Sequence, residues 1–117
     1  MSTVWIVLKI IAAIGTIATG LLALFKPEGI YGFTGLRADG ARGITEIRAI
    51  FGGLFIALGG VALFYRTPQV YAMLGIMYLV IALVRGVSMF LDKSVESSNI
   101  ISLVVEIVFG IILVIPG

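Results

Sequence analysis

Four ionisable side chains stand inside the apolar segments that follow the first one in this sequence. Glu46 and Arg48 open the stretch Thr45–Gly60, TEIRAIFGGLFIALGG, while Arg85 and Glu106 occur in two later apolar segments. Guanidinium groups bind planar oxygen acceptors through a rigid fork of donors, and carboxylates hold guanidinium groups in place. An ionisable group within an apolar membrane segment indicates function by default. These residues therefore predict a polar site for an anionic or carbonyl group.

The composition indicates a membrane protein and excludes several chemistries. The 117 residues are 61% hydrophobic, and the mean hydropathy of +1.23 is far above that of soluble domains. The absence of Cys and His excludes disulfides, thiol nucleophiles and the usual haem or transition-metal ligands. A net charge of +2 with scattered basic residues gives no support to nucleic-acid binding. We expect no cofactor.

The apolar segments have the length of membrane-crossing helices. About 20 apolar residues span the hydrocarbon core as a helix, so the chain holds about four crossings. These runs are too long for barrel strands. The sequence therefore predicts an all-α integral membrane four-helix bundle forming a single transmembrane domain over residues 1–117, with helices at about 3–25, 44–65, 70–91 and 99–115.

Small residues mark the packing faces of these helices. Two pairs of adjacent glycines, Gly52–Gly53 and Gly59–Gly60, are seven residues apart. This spacing places each pair on one side of a helix and predicts close approach of another backbone. Lys9 interrupts the first segment, and its long stem predicts that the ammonium returns to the nearer interface.

The four charged side chains are expected at similar depths in the membrane. Consecutive helices alternate direction, so Glu46, Arg48, Arg85 and Glu106 all fall in the same half of the membrane, with a summed charge of zero. Two interpretations follow. In one, the four form a salt-bridge network that only fixes helix packing. In the other, Arg48 and Arg85 receive a ligand, Glu46 and Glu106 hold them, and Tyr78 or Tyr31 lines the entry.

The loop charges predict an orientation. The first and third connections contain four basic residues, whereas the opposite side has Arg66 and, at its edge, Lys9. Because basic residues favour the cytoplasm, we expect a multi-pass protein of the cell inner membrane with the first and third connections cytoplasmic and both termini outside. The four basic residues are Lys26, Arg37, Arg42 and Lys93.

Short motifs occur in the second, third and fourth segments, formed by Glu46, Arg48, Ala49, Gly52, Gly53, Arg85, Ser88, Asp92 and Glu106. They resemble those of a bacterial domain-of-unknown-function family of small four-helix membrane proteins, related in architecture to the DoxX-like proteins. The resemblance covers nearly the whole chain and implies a four-helix membrane bundle with a shared polar cluster. DoxX-like proteins include oxidoreductase subunits and assembly factors, so no single activity is implied.

Three functional classes remain open. A non-catalytic protein that binds a lipid-like amphiphile, or an accessory or assembly subunit, ranks first because the chain offers charges for recognition but no His base, Cys nucleophile or metal set. A small proton-coupled transporter using Glu106 is the second, and a lipid- or quinone-linked enzyme the third. The ligand expected is a lipid or quinone-like amphiphile with a neutral carbonyl or phosphoester head, and a homo-oligomer or larger membrane complex is the possible assembly.

Overall fold

A computed structural model describes residues 3–34 and 36–116. The prediction of an all-α fold is confirmed, since no strand occurs within these residues. Four helices are long and apolar enough to cross a membrane. The helices are α1 (Thr3–Phe25), the short α2 (Ile30–Thr34), α3 (Ala41–Tyr65), α4 (Pro68–Leu91) and α5 (Ser97–Val114).

Three of the long helices begin earlier than the sequence predicts. α3 begins at Ala41 instead of residue 44, because Gly40 adopts a φ of 89° that suits glycine and starts the helix there. The hydroxyl of Thr45 consequently lies inside the helix and donates to the Ala41 carbonyl. α4 begins at Pro68 because the Thr67 hydroxyl accepts from the Val70 N–H and proline fits the first helical position. α5 begins two residues before residue 99.

The middle of α3 is π-helical. Residues Ile47–Leu54 follow the wider π pattern, and regular α-helix resumes at Phe55. This segment contains Arg48 and the Gly52–Gly53 pair. Short π segments within α-helices are frequent at functional sites.

The chain gathers into two compact units. One contains the described residues up to Ala12 together with those from Tyr65 onwards, and the other runs from Ala13 to Phe64. The sequence-based expectation of a single domain stays a prediction.

In the unit from Ala13 to Phe64, α1 and α3 approach through glycines. A Cβ at Gly20 would lie 2.8 Å from the Gly52 carbonyl oxygen, and one at Gly59 would lie 2.8 Å from the Ala13 carbonyl oxygen. A Cβ at Gly53 or Gly60 would meet no described atom within 4 Å. One glycine of each pair therefore packs against α1, as the seven-residue spacing predicts for residues on one side of a helix.

The connection between α1 and α3 in this unit contains helical structure of its own. A 3₁₀ turn at Pro27–Gly29 leads into α2. The side chain of Ile30 is buried against Ala23 and Ile47, which belong to α1 and α3. This apolar contact fastens the connection to both helices.

In the other unit, α4 and α5 form an antiparallel pair joined by residues 92–96. A Cβ at Gly75 would lie 2.9 Å from the Gly110 carbonyl oxygen, and one at Gly110 would lie 3.1 Å from the Gly75 carbonyl oxygen. The two backbones therefore lie close together where both residues are glycine.

The structure gives the Lys9 ammonium acceptors within the protein, and its return to the membrane interface stays a prediction. Lys9 is 1% exposed, and its Nζ donates to the carbonyl oxygens of Ile112 (2.8 Å), Leu113 (3.0 Å) and Ile115 (2.6 Å). The indole N–H of Trp5 also donates to the Ile115 carbonyl. Carbonyls without a partner in the helix, and the negative end of the helix dipole, thus receive the ammonium at the C-terminus of α5.

Candidate functional site

The centre of the candidate site is a bidentate ion pair between α4 and α5. Arg85 Nε donates to Glu106 Oε1 and Arg85 Nη2 donates to Glu106 Oε2, both at 2.8 Å. The side chains are 28% and 10% exposed, so the carboxylate is the deeper partner. The predicted contact between Arg85 and Glu106 is confirmed. Parallel N–H···O bonds of this kind are the strongest arrangement for a guanidinium and a carboxylate.

Asn99 supplies a third contact to the guanidinium. Its Oδ1 accepts from Arg85 Nη1 at 2.9 Å, while its Nδ2 donates to the carbonyl oxygen of Ser94 at 2.9 Å. Arginine can only donate, so the Asn99 amide must turn its oxygen toward Arg85. The Ser94 contact holds the amide in that orientation.

The turn after α4 sets the position of Ser94. The Ser94 N–H donates to the Met89 carbonyl, and the Asp92 N–H donates to the Ser88 carbonyl. Lys93 lies between them with a φ of 53°, in the left-handed region. This is the usual way to end a helix, except that glycine is the common residue at the left-handed position. The helix end therefore positions Ser94, which positions Asn99, which contacts Arg85.

The guanidinium keeps donors for a ligand. Arginine has five N–H donors, and the contacts to Glu106 and Asn99 use three of them, so two are left among the described contacts. Both are on the terminal nitrogens, because Nε carries a single N–H that is already used. Arg85 can thus bind an oxygen acceptor without releasing Glu106.

A cavity of about 440 Å³ lies beside Arg85. One part of its wall is apolar and belongs to the middle of α4, and the other part is polar and belongs to the end of α4, the turn and the start of α5. This combination of a large apolar wall and a few polar groups is typical of small-molecule sites. The lining residues are Val80, Ile81, Val84, Arg85, Ser88, Met89, Asp92, Ser94 and Asn99.

Glu46 and Arg48 have different surroundings from those predicted for a shared cluster. Glu46 forms an ion pair with Arg42, one turn earlier in α3, and both side chains are largely exposed. The early start of α3 places Arg42 inside the helix and makes this i, i+4 pair possible. Arg48 is exposed, and no described residue forms an ion pair with it. The ligand-binding role of these two residues stays a prediction.

The two candidate tyrosines pack against other side chains. Tyr78 is buried, and its ring meets that of Phe109 edge-on, with 5.6 Å between centroids. Tyr31 is exposed, and the guanidinium carbon of Arg37 lies 4.6 Å from its ring centroid. Neither tyrosine lines the cavity beside Arg85.

Sequence reasoning missed Asn99 and Ser94. Both are short polar residues near a helix start, where they are common for local reasons. The position of Asn99 in the sequence could have indicated its role. Asn99 lies seven residues before Glu106, and therefore on nearly the same face of α5. Within residues 3–34 and 36–116, no group of three or more Asp or Glu side chains is placed to hold a metal ion.

The described residues contain four helices that could each span a membrane and a partly buried arginine–glutamate pair beside a cavity, and this arrangement fits a multi-pass membrane protein. A family model described as a domain of unknown function, DUF4345, matches residues 5–115. The chain belongs to that family. No curated protein and no solved structure gives a significant match to the chain.

Proposed function

We propose that this protein binds the head group of a membrane amphiphile in the cavity beside Arg85. The observation that carries the proposal is the pair of unused Arg85 N–H donors at a cavity whose other wall is apolar. The apolar wall is formed by Val80, Ile81 and Val84, and both valines are more than half exposed. A hydrocarbon tail fits against these side chains while a head group accepts from Arg85.

The charges around the cavity constrain the head group. Arg85 and Glu106 neutralise each other, and Asp92 adds a carboxylate to the lining. A free fatty-acid carboxylate would therefore meet a negative surface, whereas a neutral carbonyl, or a phosphoester whose charge is balanced within its own head group, can accept from the guanidinium with less repulsion. Ser88 and Ser94 offer hydroxyls that donate or accept.

The geometry gives less support to the transporter and enzyme alternatives. A proton-coupled carboxylate must gain and lose a proton in each cycle, and both Glu106 oxygens already accept from Arg85. Protonation would have to break that pair. Covalent catalysis needs a nucleophile with a base beside it, and the cavity lining offers Ser88 and Ser94 without such a base in a described contact.

The proposed function also includes a location in the cell and an assembly. We place the protein in the cell inner membrane with the first and third connections cytoplasmic, as the distribution of basic residues supports. A role as accessory or assembly subunit, alone or as a homo-oligomer, is compatible with amphiphile binding. Kinship with DoxX-like proteins rests on the short motifs alone.

The test is native mass spectrometry of protein purified gently from membranes. Arg85→Gln/Glu106→Gln removes the guanidinium without leaving an unpaired charge, and Val84→Trp fills the cavity without touching the ion pair. We expect the native protein to carry an amphiphile that both variants lose. Arg42→Ala, which removes an exposed arginine outside the cavity lining, should retain it.

Retention of the same amphiphile in the double variant and in Val84→Trp would overturn the proposal. Arg48→Ala tests the wider set of ligand-binding residues that the sequence predicts. Loss of the amphiphile in that variant would include Arg48 in the site.

A further inference from the structure

The cavity beside Arg85 presents its chemical groups in a fixed order along α4. Val80, Ile81 and Val84 come first, Arg85 follows, and Asp92 lies at the end of the helix. α4 has 24 residues, so Val80 lies near its middle and Asp92 just beyond its last residue. From the centre of the bilayer toward its surface, the cavity therefore offers apolar surface, then N–H donors, then a carboxylate.

Arg85 and Asp92 lie on one face of α4. Seven residues make almost two complete turns, which correspond to a rise of about 10 Å. The gap between the functional groups is shorter on the side of the guanidinium, because Arg85 contacts Asn99 in the first turn of α5.

The Asp92 carboxylate is available to a ligand. Asp92 is exposed and forms no ion pair with any residue that the structure describes. The nearest basic residue in sequence, Lys93, does not line the cavity. Glu106 is the other carboxylate beside Arg85, and both its oxygens are occupied.

We infer that the bound amphiphile carries a primary ammonium beyond its oxygen acceptor, as phosphatidylethanolamine does, with the acceptor at Arg85 and the ammonium at Asp92. This inference rests on the proposed function, since it specifies the head group bound at the same site. The order of tail, phosphate and ammonium in such a lipid is the order of apolar wall, guanidinium and carboxylate in the cavity.

Other common head groups match the cavity less well. A phosphatidylglycerol head has a phosphate for Arg85, but it carries net negative charge toward Asp92 and offers no cation. A phosphatidylcholine head carries a cation without N–H donors, so it cannot form a charge-assisted hydrogen bond with the carboxylate. The ammonium of phosphatidylethanolamine provides three donors and a compact charge.

The experiment measures lipid retention from nanodiscs made of equal amounts of phosphatidylethanolamine, phosphatidylcholine and phosphatidylglycerol. After the protein is released from the nanodiscs, native mass spectrometry counts the molecules of each lipid that remain bound to the native protein, to Asp92→Asn and to Glu96→Gln. Glu96 is the matched control because it is an exposed carboxylate in the same connection that does not line the cavity.

We expect the native protein and Glu96→Gln to retain phosphatidylethanolamine over each of the other lipids by about tenfold, the ratio that corresponds to 1.4 kcal/mol. Asp92→Asn should retain a similar total amount of lipid with the preference nearly abolished. Asp92→Lys should favour phosphatidylglycerol.

Three negative results have different meanings. Equal retention of the three lipids by the native protein, with less lipid on Val84→Trp, would overturn the assignment of the ammonium while leaving amphiphile binding intact. Retention of no more lipid by the native protein than by Val84→Trp would overturn both. An unchanged preference in Asp92→Asn would also overturn the role of Asp92.

Discussion

Arg85 and Glu106 depend on each other at the level of single residues. Replacing one leaves the other partly buried without its partner, which costs about 3 to 5 kcal/mol in comparable buried pairs. We expect Arg85→Ala and Glu106→Ala each to lower thermal stability in detergent strongly. The double variant should be more stable than the sum of the two losses predicts.

The exposed pair of Arg42 and Glu46 provides the control for this double-mutant cycle of Arg85 and Glu106. Its side chains are 78% and 54% exposed, and exposed i, i+4 pairs contribute about 0.3 to 0.5 kcal/mol. Arg42→Ala and Glu46→Ala should therefore have small effects. Additive losses in the Arg85 and Glu106 cycle would contradict an energetically coupled pair.

Lys9 shows what sequence reasoning could not resolve. Its residue type and its place in the first turns of α1 predict only that the ammonium leaves the hydrocarbon. Its actual acceptors are backbone carbonyls of α5, about a hundred residues later, and backbone acceptors have no sequence signature. Arg85 and Glu106 could be paired from the sequence because their depths in consecutive antiparallel helices coincide. The contact with Asn99 depends on the turn geometry at Lys93, which the sequence does not reveal.

We expect Lys9→Met to destabilise the protein. The substitution keeps an unbranched side chain but removes donors to three carbonyl oxygens at the end of α5. Hydrogen bonds to charged groups contribute about 1.5 to 3 kcal/mol each on a net basis, so the loss should be at least of this size. Thermal denaturation in detergent measures it.

Lys26→Met is the matched control for Lys9→Met, since Lys26 is exposed. A similar stability of the two variants would mean that the ammonium of Lys9 does not bind the α5 carbonyls.

At the scale of elements, each glycine pair of α3 divides between a packed and an open position. Gly59→Ala would place a methyl group 2.7 Å from Ile17 Cγ1 and 2.8 Å from the Ala13 carbonyl oxygen, so α1 and α3 must separate. Gly60→Ala would meet no described atom within 4 Å. We expect Gly59→Ala to lower thermal stability, with a cost of about 1 to 3 kcal/mol for overpacking.

Gly60→Ala is the matched control for Gly59→Ala, because Gly60 is the neighbouring glycine that does not pack against α1. It should be neutral or slightly stabilising, because alanine favours the helix by about 1 kcal/mol over glycine. A larger loss for Gly60→Ala than for Gly59→Ala would contradict the packing of α1 against α3 through Gly59. The sequence spacing predicted that glycines stack along one side, but it could not distinguish which member of each pair faces α1.

Helix boundaries also depend on features that sequence patterns show weakly. Hydropathy locates the four long helices because each must cover the thickness of a bilayer. It does not show where a helix starts outside the apolar run. At α3, the start depends on the conformation of Gly40 and extends the helix to include Arg42, which in turn changes the partner of Glu46.

At the scale of the whole molecule, four crossings would place alternate connections on opposite sides of the membrane. We therefore expect the connections before α3 and before α5 to share one side, and the connection before α4 to lie on the other. The first two contain Lys26, Arg37 and Lys93, and Arg42 follows in the first turn of α3, whereas the connection before α4 contains Arg66. Basic residues in short loops stay in the cytoplasm, so we expect the connection before α4 to face outside.

Single cysteines test this orientation without background, since the sequence contains no Cys. Ala41, Gln69 and Ser97 are exposed residues at the starts of α3, α4 and α5. A membrane-impermeant maleimide added to intact spheroplasts should label Gln69→Cys, and it should label Ala41→Cys and Ser97→Cys only after permeabilisation. The reverse pattern would invert the protein while preserving four crossings. Labelling of Ala41→Cys and Ser97→Cys from opposite sides would contradict the crossings themselves, because two helices must separate these positions if both α3 and α4 span the membrane.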